Sequence, residues 1–387
     1  MTAPSARLAV RRLELTDFRN YRRLRLDVPG GPVVLVGANG AGKTNLLEAL
    51  SLFSPGRGLR RALLRDLTRF GADGGWTLSM RLESGGDEIR LGTGLAEVDG
   101  RATRVVRCDG DKLGTQGLIE LLGLQWLTPQ MDRLFIEGSA PRRRYLDRLV
   151  LAFDALHGRR VASYERSLRE RAQVLRAGRA DPLWLKVLEE RIAGEGIAIA
   201  AARRDAVARL GVVLEQQAGP FPGAVLEARG RLEGWLEDMP AVDAEARFQE
   251  HLQRSRARGA DAAISVDGPH RSDLAVHHAR KGVPAGQCST GEQKALLIAI
   301  QLATARLEAR RRGKPPILLL DEVAAHLDAE RRAALFDTLC AMGAQVWMTG
   351  TDAALFEPLR GRAAFGQVND GDVELDIAEP DSRELEE

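Results

Sequence analysis

Cysteine is scarce in this chain: among 387 residues there are only Cys108, Cys288 and Cys340. Widely spaced and odd in number, they make neither a disulfide framework nor a zinc pattern. A reducing cytoplasm is therefore the expected compartment. Long apolar runs are lacking as well; none approaches the roughly 20 residues of a membrane span, and the segment from Met1 to Leu15 carries no apolar core of signal-peptide length. Secretion and membrane insertion are not expected. Aromatic residues are only 5% of the chain, too few for an extended base-stacking platform. Charge of one sign is missing too: the formal net charge is +2, so overall electrostatics names no polyanionic partner and only local clusters can. His270, His277 and His278 stand without the cysteines or carboxylates that would complete a transition-metal spacing.

What is present is an ordinary globular composition, 44% hydrophobic and 28% charged, which argues against extensive disorder. The length exceeds what one core usually organises, so two lobes, or one domain with a large insertion, are expected. Along the chain, alternation predicts strands at Leu8 to Leu15 and around Leu24, Leu26 and Val28, with a polar turn between them. Val33 to Val36 is a continuous apolar run of the buried-strand kind. Short alternating segments separated by Gly-containing turns follow from about Gly71 to Asp111. Helical character, with few strand signals, dominates from about Arg142 to Leu236. After Ala260 the pattern returns to strands and loops, with an apolar helix after Gly291, a strand at Ile317 to Leu320, a helix from Ala329 to Met342 and a last strand at Gln345 to Thr349. The expected organisation is an ATPase part over residues 1–135, a mainly helical insertion over 136–260, the rest of the ATPase part over 261–369 and an acidic tail over 370–387, with room for one short strand from Asp370 onward.

The first chemical signal is Gly37-Ala38-Asn39-Gly40-Ala41-Gly42-Lys43-Thr44, which fits G-x-x-x-x-G-K-[ST] between a buried strand and a helix. Glycines let backbone N–H groups wrap phosphate oxygens, and the following helix directs its positive end at them. Lys43 then meets the β and γ phosphates of ATP, and Thr44 supplies a hydroxyl to Mg²⁺. Glu48, one turn further, is expected on the helix surface or at a lobe contact.

The second signal is Ile317 to Leu320 running into Asp321 and Glu322. A strand ending in two carboxylates suits a Walker B role, with Asp321 on the metal side and Glu322 polarising the attacking water. This strand is expected to lie beside the one that feeds the phosphate loop. Upstream, Ser289-Thr290-Gly291-Glu292-Gln293 precedes an apolar helix. Ser289 with Glu292 has the spacing of a helix capping box, and the whole stretch also resembles the signature of ABC-type ATPases. On that resemblance Ser289, Gly291 and Gln293 would cap the γ-phosphate held by a second subunit, Asp328 would stand at the D-loop position and Gln130 at the Q-loop position near Mg²⁺. The family's switch histidine is missing, since Val346 to Asp352 offers only hydroxyls and one acid; fast, self-sufficient hydrolysis is not expected.

Roughly 245 residues separate the phosphate loop from the signature, too many for a transporter cassette. Asp17-Phe18-Arg19-Asn20-Tyr21, the loop and its continuation Asn45-Leu46-Leu47-Glu48-Ala49, Gly138 to Asp147 and Gly268 to Leu274 together resemble the RecF family of bacterial DNA replication and repair proteins, in order and over nearly the whole chain. The resemblance implies an α/β fold, a P-loop ABC-type ATPase head with an antiparallel β layer and an inserted helical lobe. It also implies an ATP-dependent homodimer with weak Mg²⁺-dependent turnover, binding to single-stranded or gapped DNA, help in recombinase loading and SOS induction, and partnership with RecR and RecO and, indirectly, RecA. Candidate DNA contacts are Arg11, Arg12, Arg19 and Arg22 in the basic N-terminal strands and Arg142, Arg143 and Arg144 in a second cluster, since arginines neutralise phosphates and release counterions. A transporter ATPase cassette is the alternative, and a small-molecule P-loop kinase a more distant one.

Overall fold

The structure is a computed structural model that describes residues 7–98, 100–177, 181–216, 219–256 and 267–376. The chain forms two compact units, one made of Met1–Asp132, Ala218–Phe221 and Gln301–Glu387, the other of Arg133–Gln217 and Pro222–Ile300.

The first unit opens with β1 (Leu8–Phe18) and β2 (Tyr21–Asp27), an antiparallel pair joined at Arg19 and Asn20. Alternation explains β1: Leu8, Val10, Leu13 and Leu15 are buried, and a register shift between Val10 and Arg12 accommodates the adjacent Arg11 and Arg12. The apolar run expected from the sequence is β3 (Val33–Val36), buried at every position. It runs through the glycine-rich loop into α1 (Lys43–Ser51). Then come β4 (Thr77–Ser84), β5 (Asp87–Val98), β6 (Arg101–Cys108) and the short β7 (Asp111–Lys112), which continue the antiparallel layer in the order β2-β1-β4-β5-β6-β7. α2 (Thr115–Leu121) and β8 (Leu124–Leu127) complete this stretch. Phe18 and Trp76, both fully buried, meet edge to face at 5.8 Å in a core shared with Phe53, Leu46 and Trp347. Each such side chain contributes about 1.5–3 kcal/mol by leaving water.

The second unit is mainly helical: α3 (Ser139–Leu151), α4 (His157–Arg176) and α5 (Pro182–Glu215) come first. Asp181 accepts from the Leu183 N–H and Pro182 fills the first helical position, which is why α5 starts there. β9 (Ala224–Arg229), α6 (Arg231–Asp238), α7 (Ala241–Ser255) and β10 (Asp273–His278) follow, and α8 (Thr290–Arg312) begins in this unit. β9 and β10 pair antiparallel. The expectation of few strands before Leu236 misses β9, whose inward residues Ala224, Leu226 and Ala228 alternate cleanly but include two alanines, a weak strand signal. Packing also assigns β10 and the start of α8 to this unit, whereas composition groups them with the ATPase part. The core centres on Tyr164, Ile192, Ile197, Phe248 and Leu252. Within it Arg171 and Glu189, both 0% exposed, form an ion pair at 2.9 Å, and Arg256 joins the same carboxylate.

The chain closes the first unit with β11 (Ile317–Leu320), α9 (Ala329–Ala341), β12 (Val346–Gly350), β13 (Ala364–Asn369) and β14 (Asp372–Asp376). β13 thus follows the strand at Gln345 to Thr349 without a sequence expectation of its own, whereas β14 falls where the sequence leaves room for a short strand after Asp370. The second sheet runs β14-β13-β3-β12-β11-β8, with β14 alone antiparallel to its neighbour. Here one expectation is corrected: β11 does not lie beside β3. β12 stands between them, paired parallel to both, and a run of apolar residues carries no information about which strand it neighbours. Gln345, fully buried, bonds Val10 on both its N–H and its C=O and also the Pro29 carbonyl, tying the two sheets together without leaving a polar group unpaired.

Candidate functional site

β3 delivers Gly37 against the backbone of β13. A Cβ on Gly37 would lie 2.3 Å from the Val368 carbonyl oxygen, so only glycine permits this approach. Ala38, Asn39 and Gly40 are exposed and the Ala41 N–H returns to the Ala38 carbonyl at 3.3 Å. Gly42, at φ 115°, caps α1 with no side chain of its own to offer the helix's first N–H groups, which leaves them directed outward. Lys43 is buried and donates to the carbonyl oxygens of Gly37 at 2.7 Å and Ala38 at 2.8 Å. Burial lowers its pKa, while the charges of Glu322 and Asp321 oppose that shift.

The strand ends of the same sheet complete the arrangement. Asp321 Oδ1 accepts from Thr44 Oγ1 at 2.9 Å and from Thr349 Oγ1 at 2.7 Å. The Thr349 oxygen in turn accepts the Glu322 N–H at 3.0 Å. Glu322 sits at φ 51°, a left-handed conformation that costs a non-glycine residue about 1–2 kcal/mol and is held by that hydrogen bond. Thr349 lies in the stretch Val346 to Asp352, which has no histidine. It went unrecognised as a site residue because a lone threonine at a strand end carries no motif.

Beneath the loop the turn Asp17 to Tyr21 acts as a brace. Asn20 donates to the Ala41 carbonyl at 3.1 Å and accepts from Asn45 at 2.8 Å, and the Tyr21 hydroxyl donates to the Gly42 carbonyl at 3.1 Å. Arg19 grips Glu48 with two bonds of 2.8 Å. Glu48 is 0% exposed, a correction to its expected surface position. Its charge is met by Arg19 and by Arg60 at 3.1 Å, as a buried carboxylate requires.

The remaining candidates are spread more widely. Gln130 is exposed in a single turn after β8, the strand that flanks β11. Asp328 caps α9, accepting from the Arg331 N–H at 2.8 Å. In the second unit Ser289 and Glu292 form the reciprocal contacts of a capping box, the Ser289 N–H reaching Glu292 at 3.2 Å and the Glu292 N–H reaching Ser289 at 3.4 Å. Bonds from Lys281 and from Ser289 hold the Glu292 carboxyl down at about 2. Ser289 and Thr290 are exposed, but the Gln293 side chain turns inward and donates to the Cys288 carbonyl at 2.9 Å.

The arginine candidates divide. Arg11 pairs with Glu83, Arg12 with Asp27 and Arg19 with Glu48. Arg142 holds Asp273 through two bonds of 2.8 and 2.7 Å, and Arg143 donates to the Ser272 carbonyl. Arg22 and Arg144 are exposed. The acceptors that engage the others lie up to 131 residues away in sequence, so charge clustering along the chain could not reveal them.

Comparison with known proteins fits this geometry. The family described as RecF/RecN/SMC N terminal domain matches residues 9–367. The DNA replication and repair protein RecF of Rhizobium etli (strain CIAT 652) is 49% identical over 370 residues, 95% of this chain and 99% of that protein. Among solved structures, the recombination mediator protein RecF-ATPrS in the RecFOR pathway aligns with a TM-score of 0.82 at 21% identity, covering 97% of this chain and 100% of that one. RecF-ATP of the same pathway aligns with a TM-score of 0.79 at 22% identity, covering 96% and 99%. The fold is therefore that of a RecF-type ABC ATPase head, and the chain belongs to the RecF family.

Proposed function

We propose that this chain is an ATP-binding protein of DNA replication and repair whose nucleotide site drives dimerisation on DNA. The observation that carries the proposal is the convergence of Thr44 and Thr349 on one oxygen of Asp321, which links the phosphate loop to the strand end bearing Glu322. Gly37 to Thr44 would cradle the phosphates of ATP, with Lys43 exchanging the Gly37 and Ala38 carbonyls for phosphate oxygens. The Thr44 hydroxyl and the Asp321 carboxylate are hard oxygen donors 2.9 Å apart, a set that suits Mg²⁺, with Gln130 close by in sequence to the flanking strand. Bound there, the ion would neutralise charge on the phosphate oxygens. Glu322, half-buried and fixed by Thr349, is positioned as a base to orient water.

Ser289, Gly291, Gln293 and Asp328 are read as acting on the nucleotide of a second copy, making ATP the bridge of a homodimer. The Ser289 hydroxyl and the exposed start of α8 favour an anion there. A hydroxyl at Thr349 in place of a switch histidine supports slow turnover. Single-stranded or gapped DNA is the proposed substrate surface, with Arg22 and Arg144 the exposed members of the original clusters, and RecR and RecO the proposed partners in a cytoplasmic pathway that loads recombinase. Family membership disfavours a transporter cassette.

Light-scattering mass without nucleotide, with ADP and with ATP and Mg²⁺, each with and without gapped DNA, tests the reading. A dimer specific to ATP, lost in both Lys43→Ala and Ser289→Arg, is the expected result. If Ser289→Arg dimerises as the wild type does, the signature does not act across subunits.

A further inference from the structure

Between α1 and β4 the chain carries Arg57, Arg60, Arg61, Arg65 and Arg69 against two acids, Asp66 and Asp73. This stretch belongs to neither of the basic clusters considered above. It is fixed rather than loose. Leu67 is buried and its carbonyl accepts the Arg19 N–H at 2.8 Å, while the Arg69 N–H donates to the Asp17 carbonyl at 2.8 Å. The Trp76 indole N–H holds the Leu64 carbonyl at 2.7 Å. The Ala72 N–H then returns to the Arg69 carbonyl at 3.1 Å with Gly71 at φ 76°, a β-turn that presents Phe70 at its second position.

Phe70 is 99% exposed. Single exposed apolar residues are common, but this one is an aromatic ring on an anchored turn at the end of a cationic segment. Arg60 and Arg69 already serve Glu48 and Asp17. Arg57 is exposed and has no ion pair among the described residues, and Arg61 is exposed too. Arg65 is paired with Glu97, but both are about two-thirds exposed, so exchanging that partner for a phosphate costs little. A cationic segment that leads into a bare ring matches one chemistry in particular: a nucleic-acid strand with an unpaired base, its ring stacked and its phosphates neutralised.

We infer that this segment is a single-strand contact, Phe70 stacking on an unpaired base while Arg57, Arg61 and Arg65 engage the flanking phosphates. The inference rests on the DNA reading above and adds to it the surface and the discriminating residue. Because the Phe70 ring is exposed, Phe70→Ala leaves the core intact. Fluorescence anisotropy of the full chain with ATP, on a gapped duplex and an intact duplex of equal length, provides the test. Phe70→Ala should weaken gapped-DNA binding about tenfold and change intact-duplex binding less than about twofold. Phe70→Trp should restore the affinity and show quenching on gapped DNA. Arg57→Ala should lower the slope of log affinity against log salt by about 0.7. Equal gapped-DNA affinity for wild type and Phe70→Ala, or an equal loss on both substrates, overturns the assignment. Absence of any DNA binding by the wild-type chain would instead remove the reading on which it rests.

Discussion

Replacing Thr349 by valine tests whether β12 organises the site as its hydrogen bonds indicate. The side chain is fully buried, and valine keeps its shape while removing the hydroxyl. Two bonds disappear: the donation to Asp321 at 2.7 Å and the acceptance from the Glu322 N–H at 3.0 Å. A hydrogen bond to a charged acceptor is worth about 1.5–3 kcal/mol, and an orphaned buried N–H costs about 1–3 kcal/mol. Allowing for partial relaxation, the first unit should lose about 3 kcal/mol. Glu322 is also freed from its left-handed conformation, which costs about 1–2 kcal/mol to maintain, so the carboxylate should drift from its working position. ATP turnover should fall about 10- to 100-fold, whereas ATP affinity, carried by the loop and Lys43, should change far less. Urea denaturation followed by tryptophan emission reports the stability, since Trp347 lies two residues away and is fully buried. Turnover and ATP titrations report the rest, and Thr349→Ser should recover most of both. Stability within about 0.5 kcal/mol of wild type together with unchanged turnover would refute the reasoning.

In the second unit, Glu189→Ala should destabilise by about 3–5 kcal/mol, because it strands the buried Arg171 without its counter-charge; a urea midpoint close to wild type would show that the pair contributes little. The capping carboxyl of Glu292 should titrate near pH 2 by NMR. Its depressed pKa means that the ion pair with Lys281 is intact above the ordinary acid range and is lost as pH falls through about 2. Lys281→Ala should move the inflection upward, and an ordinary inflection in the unmodified chain would contradict the geometry.

Where the sequence was informative, the signal was local. Val33 to Val36 and Ile317 to Leu320 are strands at those same bounds, since continuous apolar residues ending at glycine or at paired acids have few alternatives. The phosphate loop could likewise be read from spacing, because its whole pattern of glycines, lysine and hydroxyl is complete within eight residues. Long-range partners were not legible. Nothing in the neighbourhood of Thr349 shows that its hydroxyl will bridge Asp321 and Glu322, nor does the sequence of α1 show that Glu48 will be enclosed by Arg19 and Arg60. The buried set formed by Gln125, Gln301 and Glu308 was missed for the same reason: its members are up to 183 residues apart. The N-terminal arginines show the converse. Counted along the chain they form a cationic cluster, but in the fold Arg11, Arg12 and Arg19 face acids.

The position of β3 also sets a timetable for synthesis. Its two neighbours are β12 and β13, and Val346 is added 313 residues after Val33. At about 5–20 residues per second this is a wait on the order of 15–60 s. The antiparallel layer lies wholly within Leu8–Lys112 and is complete in sequence long before. A nascent chain therefore carries a finished outer sheet beside a wholly apolar strand with both edges open, the kind of edge that recruits other chains. Ribosome-bound fragments ending before β12 should need a holding chaperone to stay dispersed, and premature termination anywhere in the helical insertion should yield aggregate rather than a smaller functional ATPase.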